Sequence, residues 1–206
     1  MNYIFGASGF AKEVLWILIQ NEVPKHMIKF VVEHEPKEKN INGIEVISEK
    51  QFFEAQGVKC CFIAVGSPHL KEKIYNKISS LPSTLFPTLI APSVKHYKEH
   101  NTYGIGNIIC DGSIMTTNIK LGNFIHLNLN STVGHDTEIQ DFCTISPGCN
   151  ISGNVKIGKY SFLGTNSTIL EELTICDDAV IGASAVVVKD ITEAGTYVGI
   201  PAKKRS

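Results

Sequence analysis

Two neighbouring residues, His135 and Asp136, offer the clearest means of proton transfer in this sequence and lie in the stretch STVGHDTE, residues 131 to 138. A histidine side chain suits that task because its unperturbed pKa is about 6.5. The same imidazole could instead be one polar group on a solvated face. Whether His135 transfers protons or is only a solvated surface residue depends on the secondary-structure element that carries it.

A glycine turn near the N-terminus could hold phosphate. The stretch GASGFA, residues 6 to 11, is a degraded form of the GxGxxG fingerprint, with Ser8 and Ala11 in place of the second and third glycines. Such a turn presents backbone N–H groups and the positive end of a helix to phosphate oxygens, and an acidic residue after the next strand can meet a ribose or base. The predicted nucleotide contacts are Gly6, Ser8, Gly9, Glu33, His34, Lys37 and Gly66.

Three interpretations of this turn are open. A dinucleotide site requires two mononucleotide-binding halves, and only about 85 residues precede the repeats of the second half. A single nucleoside diphosphate therefore fits better than NAD. A purely structural turn is the third interpretation.

The elements around the turn predict a Rossmann-like βαβ half-domain. Short apolar runs indicate strands at NYIF, IKFVV and KCCFIAVG, and helices are indicated at AKEVLWILIQN and PHLKEKIYNKI. The first helix should bury one apolar stripe, formed by Val14, Leu15, Leu18 and Ile19. We assign residues 1–85 to this α/β domain and residues 86–94, whose prolines interrupt regular structure, to a linker.

The second half of the chain repeats every six residues. Steps of six from Ile109 to Val187 meet an apolar side chain at all fourteen positions, and the position four residues further into each hexad is small or apolar. Neither a helix nor a long strand has this period, whereas short strands joined by turns do. Residues 95–206 are therefore predicted to form a prism-shaped parallel β-helix, with three hexads in each coil and an aliphatic column inside.

The repeat places His135 near a corner of the prism, outside the aliphatic column. Steps of eighteen residues from His135 should form one row along the axis, which comprises Thr117, Gly153, Glu171 and Lys189. A histidine in this row would face a ligand that runs along the helix. The missing side chain at Gly153 would let its backbone N–H approach that ligand closely.

Composition narrows the classes of function. Nineteen basic and twenty acidic residues give a net charge of -1, so no strong overall field would draw the chain to nucleic acid or to an anionic membrane. The N-terminus lacks the features of a secretion signal, and no apolar run is long enough to span a bilayer, which predicts a cytoplasmic protein. The six cysteines contain no CxxC pair and are predicted to be buried, reduced thiols.

The two halves together resemble a known family. The combination of IFGASGFAKEV, IAVGS, hexads such as VKIGKY and the closing VGIPAK is similar, over nearly the whole chain, to the bacterial hexapeptide-repeat sugar acetyltransferases. These include bacillosamine and perosamine N-acetyltransferases and sialic acid O-acetyltransferases. The resemblance implies a left-handed β-helix, a homotrimer with active sites between subunits, acetyl-CoA as co-substrate, no metal, and a nucleotide-linked sugar held by the N-terminal domain.

The resemblance also implies roles for individual residues. The family's catalytic histidine lies in a V-x-HD context that matches His135, and an asparagine seven residues earlier matches Asn128. Contacts to acetyl-CoA map onto Gly153, Thr165, Ala183, Lys189 and Pro201, and the lysines of the tail PAKKR could meet phosphate. This chain has Gly134 where many relatives have an acidic residue, and Thr144 where others have histidine. Asp136 and Asp141 are both candidates to orient the imidazole.

The implied reaction is acetyl transfer from a thioester to a sugar amine. We expect His135 to take the proton that the amine releases and the Gly153 N–H to stabilise the oxyanion before the thiolate of CoA departs. The predicted acceptor is a UDP- or dTDP-linked 4-amino-deoxy sugar of bacterial glycan or lipopolysaccharide synthesis. O-Acetylation of sialic acid or another sugar hydroxyl is the alternative, although an alcohol needs stronger base assistance than an amine.

Two further classes fit the sequence less well. A zinc-dependent carbonic anhydrase of this fold needs three histidine ligands, and only His126 and His135 fall within the repeats, half a coil apart. A non-catalytic β-helix scaffold or assembly module would not bind acetyl-CoA.

Overall fold

An α/β domain forms the N-terminal part of the protein in the computed structural model, which describes residues 1–205. Its strands are β1 (Asn2–Phe5), β2 (Ile28–Val32), β3 (Asn40–Ile41), β4 (Ile44–Ser48), β5 (Lys59–Ile63) and β6 (Thr84–Leu85). Its helices are α1 (Gly9–Gln20), α2 (Glu49–Glu54) and α3 (Pro68–Ile78), with a short 3₁₀ helix at Lys25–Met27. The strands lie in the order β3-β4-β2-β1-β5-β6, and all pairings are parallel except the antiparallel pairing of β3 with β4. Each predicted strand and helix of this domain is present, but the third predicted strand ends at Ile63 and not at Gly66.

Helix α1 follows the glycine turn and packs against both β1 and the first strand of the β-helix. Ser8 precedes it in an extended conformation, so the helix begins at Gly9. The buried face consists of Ala11, Val14, Leu15, Ile17 and Leu18. The prediction that Ile19 belongs to this face is wrong, because the buried face extends to Ile17 instead and leaves Ile19 38% exposed.

A parallel β-helix with three flat faces forms the rest of the chain. Face 1 contains β7 (Leu89–Ile90), β10 (Ile108–Ile109), β13 (His126–Leu127), β16 (Thr144–Ile145), β19 (Phe162–Leu163), β22 (Ala179–Ile181), β24 (Gly195–Val198) and β25 (Lys203–Lys204). Face 2 contains β8 (Lys95–His96), β11 (Ile114–Met115), β14 (Thr132–Val133), β17 (Asn150–Ile151), β20 (Thr168–Ile169) and β23 (Val186–Val187). Face 3 contains β9 (Thr102–Tyr103), β12 (Lys120–Leu121), β15 (Glu138–Ile139), β18 (Lys156–Ile157) and β21 (Thr174–Ile175).

The β-helix begins earlier than the sequence suggested. Strand β7 lies within the predicted linker, residues 86–94, yet it pairs in parallel with β10 and so belongs to face 1. The prolines at positions 87 and 92 flank this two-residue strand instead of excluding it, because each lies outside the paired residues. Ser206, at the end of the predicted range 95–206, lies outside the described residues.

The aliphatic column predicted from the hexads is confirmed. All fourteen positions from Ile109 to Val187 are at most 4% exposed. The small residues four positions later are also buried, apart from the partly buried Leu173. Their hydroxyl groups are satisfied inside the column, as where Ser131 Oγ donates to the Ser146 carbonyl at 3.1 Å. A core made of such short side chains lets successive coils stack closely.

The cysteines are free thiols, and four of the six are buried. Burial raises the pKa of Cys61, Cys110 and Cys143 to about 12. The prediction of buried thiols is wrong for Cys60 and Cys176, which are only partly buried.

Left-handed backbone conformations recur every sixth residue and turn the chain from one face to the next. Most of these residues are Gly, Asn or Asp, which adopt positive φ at low cost, but Phe124, Phe142 and Tyr160 also do so, at φ 54–62°. Their rings stack along the axis with centroids 5.3 and 5.7 Å apart. Helix α3 packs on this aromatic ladder through Tyr75, whose ring centroid is 4.6 Å from that of Phe124.

The N-terminal domain covers the first coils of face 1 of the β-helix. The outward side chains of its strands are at most 3% exposed at Ile108, His126 and Thr144. The His126 ring lies against Phe10 of α1, with the ring centroids 4.9 Å apart. The α/β domain and the first coils therefore share one buried interface. No helix within residues 1–205 is long and apolar enough to cross a membrane.

We expect Gly106→Ala to lower the free energy of unfolding by roughly 2–4 kcal/mol, since it adds a strained backbone and a clash. Gly106 has φ +68°, and a Cβ atom there would meet the buried Phe124 ring at the base of the aromatic ladder. The control is Gly57→Ala, which also has positive φ but has open space around it, so it should lose only about 1–2 kcal/mol. Denaturant unfolding measures both. Equal losses would show that the ladder tolerates the added methyl group.

Candidate functional site

His135 projects from the corner between faces 2 and 3, as the hexad count predicted. Its side chain is 64% exposed, and its ring lies over Gly153, where a Cβ atom would be 2.6 Å from Nε2. Backbone hydrogen bonds connect successive coils at this corner. Asp136 N donates to the Thr117 carbonyl, and Asn154 N donates to the His135 carbonyl. The imidazole therefore faces outward and covers the next residue of its row.

Asp136 holds the imidazole. Its Oδ2 lies 2.8 Å from His135 Nδ1, and its Oδ1 accepts a hydrogen bond from Asn118 Nδ2 at 2.9 Å. Asp136 is the left-handed residue of this corner, with φ +58°, which directs its carboxylate back toward the ring. The hydrogen bonds from Asn118 and His135 lower the pKa of Asp136, so the carboxylate is ionised at neutral pH.

An ionised carboxylate at Nδ1 fixes the tautomer of the neutral ring. Because Asp136 can only accept, Nδ1 carries the hydrogen and Nε2 has a free lone pair. That lone pair is on the side of the ring next to Gly153. The arrangement can accept a proton from a group bound along this row.

The other candidate partner, Asp141, does not contact the imidazole. It lies at the corner between faces 3 and 1, where its Oδ1 accepts from Asn123 N at 2.8 Å and its Oδ2 pairs with Lys159. Of the two carboxylates that the sequence left open, the structure brings only Asp136 to the ring.

Asn128 lies at a different corner from His135, between faces 1 and 2. It is 8% exposed, and its side-chain amide donates to the Ile145 carbonyl at 2.9 Å. Face 2 separates the two corners, so one chain does not place Asn128 beside its own His135. The predicted grouping of these two side chains is not formed within a single chain.

The predicted contacts to acetyl-CoA divide between the same two corners. Gly153 and Lys189 share the row of His135, whereas Thr165 and Ala183 belong to the row of the Asn128 corner, joined by the hydrogen bond from Ser184 N to the Thr165 carbonyl. Pro201 lies in the turn between β24 and β25, next to that second row. Counting hexads could have shown this division. The residue numbers of the two pairs differ by multiples of six but not of eighteen, which places the pairs at different corners.

The predicted nucleotide contacts gather at the carboxyl edge of the N-terminal sheet. Glu33, His34 and Lys37 line a cavity of about 520 Å³, together with Lys12 from the first turns of α1. The start of α1 has no side-chain cap and no acidic residue in its first turn, so its N–H groups and its positive dipole end are available to an anion.

The remaining predicted contacts lie outside this cavity. Ser8 and Gly9 form the start of α1, and Gly6 lines a second cavity of about 240 Å³ that shares Glu33 with the first. Gly66 lines neither cavity, and its carbonyl accepts a hydrogen bond from Thr144 Oγ1 at 2.8 Å. Sequence reasoning missed Lys12, although its place one turn after the glycine turn was a signal for it.

The nucleotide-sized cavity and His135 lie on opposite sides of the β-helix. The N-terminal domain covers face 1, and in a three-sided prism the corner between faces 2 and 3 is the edge opposite that face. One chain therefore does not bring its own His135 to its own cavity. Within residues 1–205, no group of three or more His, Cys, Asp or Glu side chains is arranged to hold a metal ion.

We expect Gly153→Ala to displace the His135 ring, because its new methyl group would lie within 3 Å of three ring atoms. The ring is at the surface and can rotate away, so the free energy of unfolding should fall by no more than about 1 kcal/mol. NMR of the His135 ring and a crystal structure of the variant measure the displacement. Gly9→Ala, which meets no atom within 4 Å, is the control. An unmoved ring in Gly153→Ala would contradict the close approach.

Comparisons with known proteins cover the whole chain. A protein-family model for the PglD N-terminal domain matches residues 3–78. The GDP-perosamine N-acetyltransferase of Escherichia coli O157:H7 is 30% identical over 200 residues, which are 95% of this chain and 81% of that protein.

Two solved structures share the architecture. The acetyltransferase domain of PglB from Neisseria gonorrhoeae FA1090, in complex with acetyl coenzyme A, is 26% identical, with a TM-score of 0.91 over 99% of this chain and 98% of that chain. PerB from Caulobacter crescentus, in complex with CoA and GDP-perosamine, is 24% identical, with a TM-score of 0.90 over 100% of this chain and 97% of that chain. The similarity to PerB shows the fold.

Proposed function

Because the chain belongs to the bacterial sugar acetyltransferase family and is an acyltransferase, we propose that it transfers an acetyl group from acetyl-CoA to the amino group of a nucleotide-linked amino sugar. The observation that carries the proposal is the His135 ring, held at Nδ1 by the ionised Asp136 and presenting Nε2 beside Gly153. Acetyl transfer to an amine needs one proton acceptor and one oxyanion donor, and this row offers both.

In the proposed mechanism the sugar amine attacks the thioester carbonyl carbon while His135 Nε2 accepts the amine proton. Asp136 stabilises the imidazolium that forms, since its carboxylate stays ionised. The Gly153 N–H donates to the carbonyl oxygen as its negative charge develops. The C–S bond then breaks, and the proton held by His135 neutralises the departing thiolate, so that CoA and an amide are the products.

The similarity to a GDP-perosamine N-acetyltransferase supports a GDP-linked amino sugar over the UDP- or dTDP-linked one predicted from the sequence. The cavity at the carboxyl edge is compatible with guanine, because the carboxylates of Glu33, Glu35 and Glu38 line it and can accept hydrogen bonds from the donors of that base. Lys12 and the start of α1 would meet the diphosphate. Sialic acid or another sugar hydroxyl is the competing acceptor.

A homotrimer would join the two separated halves of the site. The outward residues of face 2 are uncharged in the central coils, at Ile114, Thr132, Asn150, Thr168 and Val186, whereas those of face 3 include Lys120, Glu138 and Lys156. An uncharged face suits contact between copies. Cyclic packing through face 2 would bring the His135 corner of one chain to the Asn128 corner of its neighbour.

The Asn128 corner is also the one next to the N-terminal domain. Leu129 of this corner packs in the same cluster as Phe10, which follows the glycine turn. A neighbour's His135 placed at this corner would therefore be near the nucleotide cavity. The groove between the two chains would have Thr165 and Ala183 on one wall and Gly153 and Lys189 on the other.

A thiol-release assay with acetyl-CoA tests the activity against GDP-, UDP- and dTDP-linked amino sugars and against sialic acid. We expect turnover with a nucleotide-linked amino sugar, and we expect His135→Ala to lower kcat by about 10²–10⁴-fold, the usual contribution of a general base. His100→Ala, a change of an exposed histidine in the first coil, is the control. Turnover with sialic acid alone would exclude the proposed acceptor, and full activity of His135→Ala would exclude the base.

Mixing two inactive variants tests the shared site. Ala183→Trp would block the wall next to Asn128, and because Ala183 is exposed the bulky ring should not disturb folding. If the site spans two chains, refolding Ala183→Trp together with His135→Ala should restore roughly a quarter of the wild-type sites by random assortment. The same variants mixed after separate refolding are the control. No restored activity in the co-refolded sample would place the whole site within one chain.

A further inference from the structure

The side chain of Lys71 crosses from α3 into the wall of the β-helix. It is completely buried, and its Nζ donates to the Phe124 carbonyl at 2.9 Å, the Cys143 carbonyl at 2.8 Å and Thr144 Oγ1 at 2.9 Å. No carboxylate within the described residues pairs with it. A lysine in such surroundings needs an explanation, because burying an ammonium is costly.

The three contacts require a protonated amine. The two carbonyl oxygens can only accept, and the hydroxyl hydrogen of Thr144 is already donated to the Gly66 carbonyl at 2.8 Å. Three acceptors need three N–H donors, which an ammonium has and a neutral amine lacks. Burial lowers the pKa of Lys71 to about 7, which reflects the cost of desolvating the ammonium that these three hydrogen bonds oppose.

The groups around Lys71 do not supply a counter-charge. Burial raises the pKa of Cys143 to about 12, so its thiol is neutral. Burial and the nearby Lys71 lower the pKa of His126 well below its usual value, so that ring is neutral as well. Stability alone therefore does not favour a lysine here, since an apolar side chain of the same length would avoid the desolvation cost.

The hydrogen bonds of Lys71 lead to the substrate edge of the N-terminal domain. Through Thr144 they reach Gly66, which lies between the end of β5 and the start of α3. The neighbouring Val65 lines the cavity that also contains Gly6 and Glu33. A Cβ atom on Gly6 would lie 3.1 Å from the Ala64 carbonyl, so the two glycine-containing turns are packed closely together.

We propose that Lys71 and Thr144 are positioning residues that fix the Gly66 turn to the β-helix and thereby set the shape of the nucleotide-sugar site. This inference rests on the proposed function and assigns these two residues to acceptor binding. In this proposal the β-helix has a second role besides positioning His135: its face 1 fixes the Gly66 turn that helps to bind the acceptor.

Thr144→Val tests the link with almost no change in volume, and Thr144→Ser, which keeps the hydroxyl, is the matched control. We expect Thr144→Val to raise the KM for the nucleotide sugar about tenfold, the effect of losing one buried hydrogen bond. The KM for acetyl-CoA should stay within about twofold of wild type, because the predicted acetyl-CoA contacts lie at two corners, whereas Thr144 lies on face 1. Thr144→Ser should restore both constants. A purely structural role would not separate the two KM values.

Hydrogen exchange tests the link without any assay of activity. In Thr144→Val the amides of residues 64–70 should exchange faster than in wild type or Thr144→Ser, whereas those of the aliphatic column should be unchanged. Lys71→Met should produce the same local effect. An unchanged exchange rate and an unchanged KM for the nucleotide sugar in Thr144→Val would overturn the inference. If wild-type protein turns over no nucleotide sugar, the proposed function fails, and the exchange data still decide whether Thr144 holds the turn.

Discussion

The pairing of residues eighteen apart in successive coils, held by backbone hydrogen bonds, is the constraint on which the rest of the structure depends. Each strand of the β-helix has only two to four residues, and a single coil buries almost nothing by itself. Stacking in register, from β10 to β13 to β16 and onward, creates the aliphatic column and repeats the same corner at every level. The register therefore determines which side chains can meet above one another, including the His135 ring and the backbone of Gly153.

The two domains depend on each other because they share a buried interface on face 1. Helix α1 packs on the first strands of this face, helix α3 packs on the aromatic ladder, and Lys71 enters the wall between them. The face that supports the N-terminal domain is opposite the corner that carries His135. A single chain thus keeps the proposed nucleotide cavity and the proposed proton acceptor apart, which is the physical reason why the proposed function includes a second copy.

Much of this arrangement could be predicted from the sequence, because it follows from period alone. The inward column, the corner position of His135 and its row with Gly153 come from counting residues in sixes and eighteens. The contact between His135 and Asp136 could not be chosen over Asp141, since it depends on the direction in which a left-handed residue points its side chain. Asn118, which holds the other carboxylate oxygen, is eighteen residues before Asp136, so counting places it in the adjacent coil, but the direction of its amide is known only from the fold.

The predictions that failed involve contacts between the domains. Ile19 was placed on the wrong side of its helix because the β-helix, as well as the sheet, covers α1. Lys71 has the appearance of a solvated lysine in an amphipathic helix, and only the docking of α3 on the β-helix buries it. The sequence pattern of a single helix does not predict how that helix packs on the other domain.

The eighteen-residue register, which holds from β9 to β23, also sets the kind of change in length that the β-helix can tolerate. One inserted residue in a strand would shift every later hexad by one position and turn the aliphatic column outward. An insertion of eighteen residues would add a complete coil and leave all inward positions facing inward. Lengthening or shortening of this half of the chain is therefore expected to occur in whole coils, with smaller insertions confined to the corners, where a loop can bulge into solvent without shifting the coils on either side.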